Sequence, residues 1–121
     1  MVLLWVLLGG AIGSALRYGI GKWIPPVAGQ FPWPTFWVNA CGCLLIGILA
    51  GYLEKRSINQ ETLRWFWMTG FCGGFTTFSA FSLETFSLIQ QERWPLAISY
   101  VLVSVGVGLL ATWAGWQLLR A

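Results

Sequence analysis

Charge is what this 121-residue chain has least of: charged residues make up 9% of the sequence, whereas apolar residues make up 57%. A soluble globular domain carries about 25% charged residues. A water-soluble fold of this length would leave about a third of its chain surface exposed, and seven basic and four acidic side chains are too few to cover it. The composition therefore argues against a soluble enzyme.

Histidine and aspartate are both absent, so all of the acidic side chains are glutamates. This excludes Ser-His-Asp and Cys-His nucleophile arrangements, histidine metal sites and aspartate dyads. We expect no catalytic residue and no enzyme activity. Cys41, Cys43 and Cys72 all lie in apolar stretches. Because Cys41 and Cys43 would face different sides of a helix, we interpret the cysteines as small packing residues.

Uncharged segments, by contrast, are long, and they cover residues 2–16, 23–53, 65–83 and 94–119. A helix needs about 20 apolar residues to cross the hydrocarbon core of a bilayer. The first segment reaches that length only if Arg17 lies in the membrane or snorkels. A signal peptide is the alternative for residues 1–16, but no basic segment precedes the apolar run. We predict one all-α membrane domain, 1–121, with four transmembrane helices at about 2–23, 33–53, 62–91 and 95–119.

Small residues recur four positions apart, at Gly9 and Gly13, at Gly47 and Gly51, and at Ala111 and Gly115. This spacing allows helix backbones to approach closely in lipid. It predicts that the helices pack together but does not indicate what the protein transports.

The basic residues are divided almost evenly between the two predicted membrane faces. The face with both termini and the second loop holds four of them, Lys55, Arg56, Arg64 and Arg120. The opposite face holds three, Arg17, Lys22 and Arg93. An excess of Lys and Arg in short loops normally fixes the cytoplasmic face. A balanced chain can insert in both orientations and pair as an antiparallel homodimer. A single orientation set by one or two dominant charges is the alternative.

The third predicted span contains a glycine pair, Gly73-Gly74, followed closely by Thr76 and Thr77. Glycine and β-branched residues make a poor continuous helix, so we predict a break in mid-membrane. Broken backbone at that depth must be buried in protein or line a hydrated cavity, where its free carbonyls and amides can meet ions. The alternative is a glycine packing notch in a continuous helix.

Phenylalanine recurs every three residues after the glycine pair, at positions 75, 78 and 81, with the hydroxyls of Thr77, Ser79, Ser82 and Thr85 between them. An aromatic stripe in lipid usually serves packing. Hydroxyl groups are donors, however, and the positive edge of an aromatic ring can face an anion. Because no arginine in this stretch would trap the ion, we interpret it as a route for a partly dehydrated anion.

Three ordered motifs now resemble one known family, the small fluoride channels called Fluc or CrcB. They are Gly9-Gly10-Ala11-Ile12-Gly13-Ser14-Ala15-Leu16-Arg17-Tyr18 in the first helix, Val38-Asn39 in the second, and the segment from Gly70 to Glu84 in the third. The resemblance extends over all four helices. It implies a dual-topology homodimer in the inner (plasma) membrane, with two antiparallel pores that export fluoride passively and reject chloride. No nucleic-acid partner is expected.

The resemblance also implies roles for individual residues. It makes Phe78, Phe81 and Asn39 pore residues and assigns a buried Na⁺ at the dimer centre to the carbonyls of Gly73 and Thr76. Hydroxyl groups along the ion pathway would be those of Thr77, Ser79, Ser104 and Thr112. Glu84 would be a glutamate at the vestibule, and Arg17 a buried arginine of the first helix. The chain departs from the family at Ala80, where many members have a hydroxyl, and at Ser104 and Gly108, where several have a larger polar residue and a serine. These departures affect the ion path more than the fold.

Simpler roles remain open for three of these residues. Asn39 could form only a helix-to-helix hydrogen bond, worth about 0.6 kcal/mol on average in membranes. Arg17 and Glu84 each cost roughly 3 kcal/mol inside a bilayer, so each needs a partner or access to water, unless it lies at the interface and snorkels.

Two other functions compete with the channel. A small four-helix, proton-coupled multidrug exporter shares the length and span count, but it needs a carboxylate embedded in the membrane. The first helix has none, and Glu84 is the only candidate in the chain. A subunit that merely scaffolds a larger complex would explain the glycines but not the Thr-Thr-Phe-Ser stretch.

Overall fold

The computed structural model describes residues 1–56 and 60–120, and this part of the chain contains helices and no strand. The helices, in chain order, are α1 (Val2–Trp23), α2 (Trp33–Arg56), a π-helix (Leu63–Cys72), α3 (Gly73–Phe75), α4 (Phe78–Gln90) and α5 (Trp94–Arg120). The last residue of the predicted domain and residues 57–59 in the second loop lie outside the described residues.

Proline marks three of the helix boundaries. Helix α1 ends at Trp23, just before Pro25 and Pro26, while Pro34 and Pro95 occupy the first turns of α2 and α5. Proline cannot continue a helix but suits its first turn, because the N–H that it lacks has no partner there. Helix α2 extends to Arg56, three residues beyond the expected end of its span, since Glu, Lys and Arg are good helix formers and basic side chains favour a helix C-terminus.

Three helices, α1, α2 and α5, are long and apolar enough to cross a membrane by length and composition, with 22, 24 and 27 residues. Large apolar side chains on the outside of the molecule are widely exposed, for example Leu3, Leu102 and Leu109 at 69%, 66% and 68%. So much exposed apolar surface suits lipid rather than water.

Glycine contacts join the helices into two pairs. In the α2–α5 pair, a Cβ at Gly47 would overlap the Thr112 carbonyl oxygen, and one at Gly51 would overlap that of Trp116. In the pair formed by α1 and the π-helix, a Cβ at Gly9 or Gly13 would likewise overlap backbone. The close packing predicted from the four-residue spacing is therefore present at both glycine pairs.

The third predicted span is interrupted at Thr76 and Thr77, which we call the break. Thr76 has φ −83° and ψ 160°, and Thr77 has φ −149° and ψ 120°, so both are extended. The glycine pair just before them remains helical at the end of this half of the span. The predicted break is thus present, and it lies at the β-branched threonines, which tolerate extended backbone.

The first half of that span differs from the α-helix that the sequence suggests. Ten residues, Leu63–Cys72, form a π-helix, a form that usually occurs as a single turn and often near functional sites. Gly70 lies within it, where a Cβ would come 2.8 Å from the Val6 carbonyl oxygen of α1. Neither propensity nor hydrophobic period signals this wider winding in the sequence.

Candidate functional site

Asn39 of α2 holds the break in place with both ends of its side-chain amide. The Thr77 N–H donates to Asn39 Oδ1 at 2.9 Å, and Asn39 Nδ2 donates to the Thr77 carbonyl oxygen at 3.1 Å. The amide thereby satisfies two backbone groups that extended geometry removes from the helix. One Nδ2 hydrogen remains for a further acceptor.

The two threonine hydroxyls complete the local structure around the break. Thr76 Oγ1 donates to the Cys72 carbonyl oxygen at 2.7 Å, which closes the end of the first half. Thr77 Oγ1 accepts from the Ala80 N–H at 3.1 Å, and so caps the start of α4. It also lies 3.4 Å from Ser79 Oγ. Threonine is a favoured N-cap because its hydroxyl satisfies one of the free N–H groups there.

These bonds leave two carbonyl groups without their helical partners. In a continuous helix the Gly73 carbonyl would accept from Thr77 N–H and the Thr76 carbonyl from Ala80 N–H. Both N–H groups instead bond to side chains, those of Asn39 and Thr77. Gly73 is exposed, and no atom lies within 4 Å of where its Cβ would be. The break therefore presents carbonyl oxygens, the ligands that hard cations such as Na⁺ or Ca²⁺ accept.

Side-chain metal ligands do not gather anywhere in the described residues, which contain no group of three or more His, Cys, Asp or Glu. A cation at this site would therefore depend on backbone oxygens such as those of Gly73 and Thr76.

Arg17 of α1 is half-buried and hydrogen-bonds to the segment just before the break. Its Nε donates to the Gly74 carbonyl oxygen at 3.1 Å, and Ser14 Oγ donates to the same oxygen at 3.4 Å. In a continuous helix that carbonyl would accept from Phe78 N–H, which now lies beyond the break. Arg17 thus has the kind of partner expected for an arginine in an apolar span, and that partner is a backbone carbonyl.

Glu84 of α4 also has hydrogen-bond partners of the kind expected for a carboxylate in an apolar span. Thr35 Oγ1 donates to its Oε2 at 2.8 Å, and the Tyr100 hydroxyl donates to its Oε1 at 3.0 Å. Thr35 and Tyr100 are 8% and 0% exposed. Sequence reasoning missed both of them, although a tyrosine within the apolar run of α5 was a signal that could have been followed.

A cavity of about 470 Å³, which we call the break cavity, adjoins the break. Seven residues predicted to line a pathway or hold an ion meet on its wall: Asn39, Gly73, Thr76, Thr77, Phe78, Phe81 and Ser104. The hydroxyl oxygen of Ser104 is buried and has no hydrogen-bond partner among the described residues. A buried polar atom without a partner is costly, so this hydroxyl is available to something in the cavity.

The phenylalanine stripe divides at the break. Phe75 is buried and stacks on Phe71, with ring centroids 5.6 Å apart and planes at 13°. Phe78 is 79% exposed, although its ring lies 5.9 Å from that of Phe81. Phe81 in turn packs on Tyr100, with centroids 4.9 Å apart. Phe75 is therefore a packing residue, whereas Phe78 lines the cavity without contributing to the core of the chain.

Three predicted pathway residues do not line the break cavity. Ser79 is exposed beside Thr77, and Glu84 lies farther along α4 with Thr35 and Tyr100. Thr112 lies eight residues beyond Ser104 on α5, which corresponds to about 12 Å along a helix. Its backbone packs against Gly47. Within one chain, Thr112 is thus part of the helix contact rather than of the cavity.

Comparison with known proteins finds matches in sequence over nearly the whole chain. The family model for CrcB-like protein, Camphor Resistance (CrcB), matches residues 4–116. A protein of Flavobacterium psychrophilum is 46% identical over 115 residues, covering 92% of this chain and 90% of its own length. One from Rhizobium meliloti is 43% identical over 120 residues, covering 98% of this chain and 96% of its own length. Both relatives are named fluoride-specific ion channel FluC.

The match in sequence therefore extends through the first-helix glycines, Asn39, the break and α5. Because the family model covers almost all of the chain and the relatives exceed 40% identity, this protein is a member of the CrcB family.

Proposed function

We propose that this protein is a fluoride channel that lets fluoride leave the cytoplasm passively. The observation that carries the proposal is the break cavity, in which an amide, hydroxyls and two aromatic rings meet beside an interrupted membrane helix. Relatives that bear the name fluoride-specific ion channel support the choice of ion.

The chemistry of the cavity wall suits a small anion in transit. Asn39 retains one N–H, Ser104 has an unpartnered hydroxyl, and the ring edges of Phe78 and Phe81 carry partial positive charge. None of the described residues that line the cavity is charged, and the nearby Arg17 is bonded to the Gly74 carbonyl. Several weak donors without a fixed cation stabilise an anion enough for entry while still allowing it to leave.

An exporter driven by protons finds less support. Glu84 is the only glutamate in the membrane part of the chain, and both of its carboxylate oxygens accept hydrogen bonds, from Thr35 and Tyr100. It also lies outside the break cavity. A carboxylate that exchanges protons for cationic drugs would instead need to face the transported molecule.

The proposed function is tested by loading liposomes that contain the purified protein with fluoride and measuring its release with an electrode. We expect rapid release that requires the protein. Release no faster than from protein-free liposomes would overturn the proposal.

We further propose that two copies pair in opposite orientations and enclose two pores. Phe78 and the mouth of the break cavity are open on the outside of a single chain, so a second copy could complete the wall. With Arg17 used inside the fold, four basic residues near the termini and second loop oppose two on the other face, a small excess for fixing one orientation.

Opposite insertion makes a prediction about the C-terminus. We expect a C-terminal reporter active only in the cytoplasm and another active only outside it to both give signal in the same cells. Two lysines added after Arg120 should bias insertion to one side and lower flux, and a copy biased the other way should restore it. Signal from one reporter alone would contradict the antiparallel dimer.

Na⁺ is our proposed occupant for the carbonyls released at the break. Gly73 and Thr76 present oxygens whose helical N–H partners are bonded elsewhere, and Gly73 is exposed on the surface of the single chain, where a second copy would reach it. At the centre of an antiparallel pair, two such breaks would together provide four backbone oxygens. The ion would fix the two chains to each other, while the anion pathway remains on the wall formed by Asn39, Phe78 and Phe81.

Removal of Na⁺ should therefore weaken the dimer. After prolonged dialysis into a buffer with N-methylglucamine as the only cation, we expect slower fluoride release and a larger monomer fraction by size-exclusion chromatography. Returning Na⁺ should reverse both changes. If the fluoride flux and the dimer fraction are unchanged without Na⁺, the proposal that Na⁺ joins the two chains is wrong.

A further inference from the structure

A second cavity, of about 510 Å³, opens at the end of the molecule that carries the second loop, and we call it the loop cavity. It is lined by Ile46, Ala50, Leu53, Glu54, Arg64, Met68 and Thr69. Three of these residues, Ile46, Met68 and Thr69, also line the break cavity. The two cavities are therefore neighbours along α2 and the π-helix, with one wall in common.

Of the described residues, two with charged side chains line the loop cavity, Glu54 and Arg64, and their surroundings differ. Glu54 is neutralised, because Arg120 Nε lies 3.3 Å from its Oε1 and Trp116 Nε1 donates to its Oε2 at 2.7 Å. Arg64 is exposed, and its guanidinium forms no ion pair or hydrogen bond within residues 1–56 and 60–120. Among the described residues that line this cavity, Arg64 therefore contributes a positive charge that no ion pair compensates, at the end that carries the second loop.

We propose that Arg64 makes the loop cavity an anion-collecting mouth, which concentrates small hydrated monovalent anions next to the break cavity. This inference rests on the proposed function and adds a site and a residue to it. A cleft with charge of one sign and low-dielectric walls focuses the field and raises the rate at which opposite charges arrive.

The same geometry predicts weak binding. Exposed charges attract each other only weakly in water, and Arg64 is exposed to solvent. The apolar wall beyond it offers the ion no second cation. Arg64 therefore affects how fast anions enter, while selection among anions belongs to the break cavity.

The test compares fluoride release from liposomes containing the wild type, Arg64→Gln and Arg64→Lys at about 0.01 M and about 1 M ionic strength, where the Debye lengths are about 30 Å and 3 Å. Sodium gluconate adjusts the ionic strength. We expect Arg64→Gln to lower release several-fold at low ionic strength and to match the wild type at high ionic strength. Arg64→Lys keeps the charge and should behave like the wild type at both.

Arg56→Gln is the matched control, because Arg56 lies at the same end of the molecule, over the Tyr52 ring, and lines neither cavity. We expect its effect at low ionic strength to be clearly smaller than that of Arg64→Gln. If Arg56→Gln lowers release as much as Arg64→Gln does, the effect results from the overall charge of the protein. The inference that Arg64 forms an anion-collecting mouth would then be overturned.

Two further outcomes would also overturn the inference while leaving the proposed function intact. One is Arg64→Gln releasing fluoride like the wild type at both ionic strengths. The other is an equal loss at both, which would show that Arg64 supports the fold rather than attracting anions. A wild type that releases no fluoride would count against the proposed function itself.

Discussion

Fluoride release should fall by more than tenfold when Phe78 or Phe81 is replaced by isoleucine, with the protein still assembled. The substitution removes the ring quadrupole and keeps a large apolar side chain. A tenfold loss corresponds to about 1.4 kcal/mol of lost stabilisation of the ion at its barrier, which is the size of a good aromatic interaction. The measurement is release from liposomes, with assembly checked by size-exclusion chromatography.

The two positions separate conduction from packing because their surroundings differ. Phe78 is 79% exposed in the single chain, so its replacement should hardly change the free energy of unfolding. Phe81 packs on Tyr100 and against the buried cluster around it, so its replacement should cost up to about 1.5 kcal/mol, as near-isosteric swaps in cores do. If flux falls by a similar factor at both positions, the loss of flux therefore does not result from a loss of stability.

Phe86 provides the matched control, since it lies on the same helix, is 55% exposed and lines neither cavity. Phe86→Ile should conduct like the wild type. If Phe78→Ile and Phe81→Ile also conduct normally while remaining assembled, the ring edges play no part and the path is lined by hydroxyls instead.

The second large effect is expected at Asn39. Asn39→Leu keeps a similar volume but leaves the N–H and C=O of Thr77 without the partners that now lie at 2.9 and 3.1 Å. Each unsatisfied buried group costs about 1–3 kcal/mol. We expect the free energy of unfolding in detergent to fall by at least the cost of one such group, about 1–3 kcal/mol. We also expect fluoride release to fall more than tenfold, because the break can no longer keep its shape.

Ser14→Ala is the control for this experiment. It removes another hydrogen bond to the broken segment, the one from Ser14 Oγ to the Gly74 carbonyl, but Arg17 Nε still donates to that oxygen at 3.1 Å. We expect little change in stability or flux. If Asn39→Leu changes stability by only about 0.6 kcal/mol, the average for a membrane hydrogen bond, then Asn39 does not hold the break.

The helices and the break could be predicted from the sequence because their causes are local. Prolines at 25, 26, 34 and 95 mark helix boundaries, and clustered glycine and threonine disfavour a continuous helix. The position of the break within that stretch was not predictable, since it depends on Asn39, 38 residues away, pairing with Thr77.

Partners across long sequence separations account for the rest of what was missed. Arg17 and Glu84 were expected to need partners, but the Gly74 carbonyl, Thr35 and Tyr100 are 57, 49 and 16 residues away. Arg64 was counted only as a loop charge, because nothing in its neighbours along the chain shows that Glu54 is occupied by Arg120. Such pairings follow from which helices pack together, which the sequence pattern does not specify.

The claim that this chain selects fluoride is tested most directly by comparing fluoride and chloride release from liposomes that contain the wild-type protein. Equal internal concentrations of the two anions are loaded, and each is followed with its own electrode after the membrane potential is set by valinomycin and K⁺. We expect rapid fluoride release with chloride release no faster than in protein-free liposomes. Chloride release as fast as fluoride release would contradict the account.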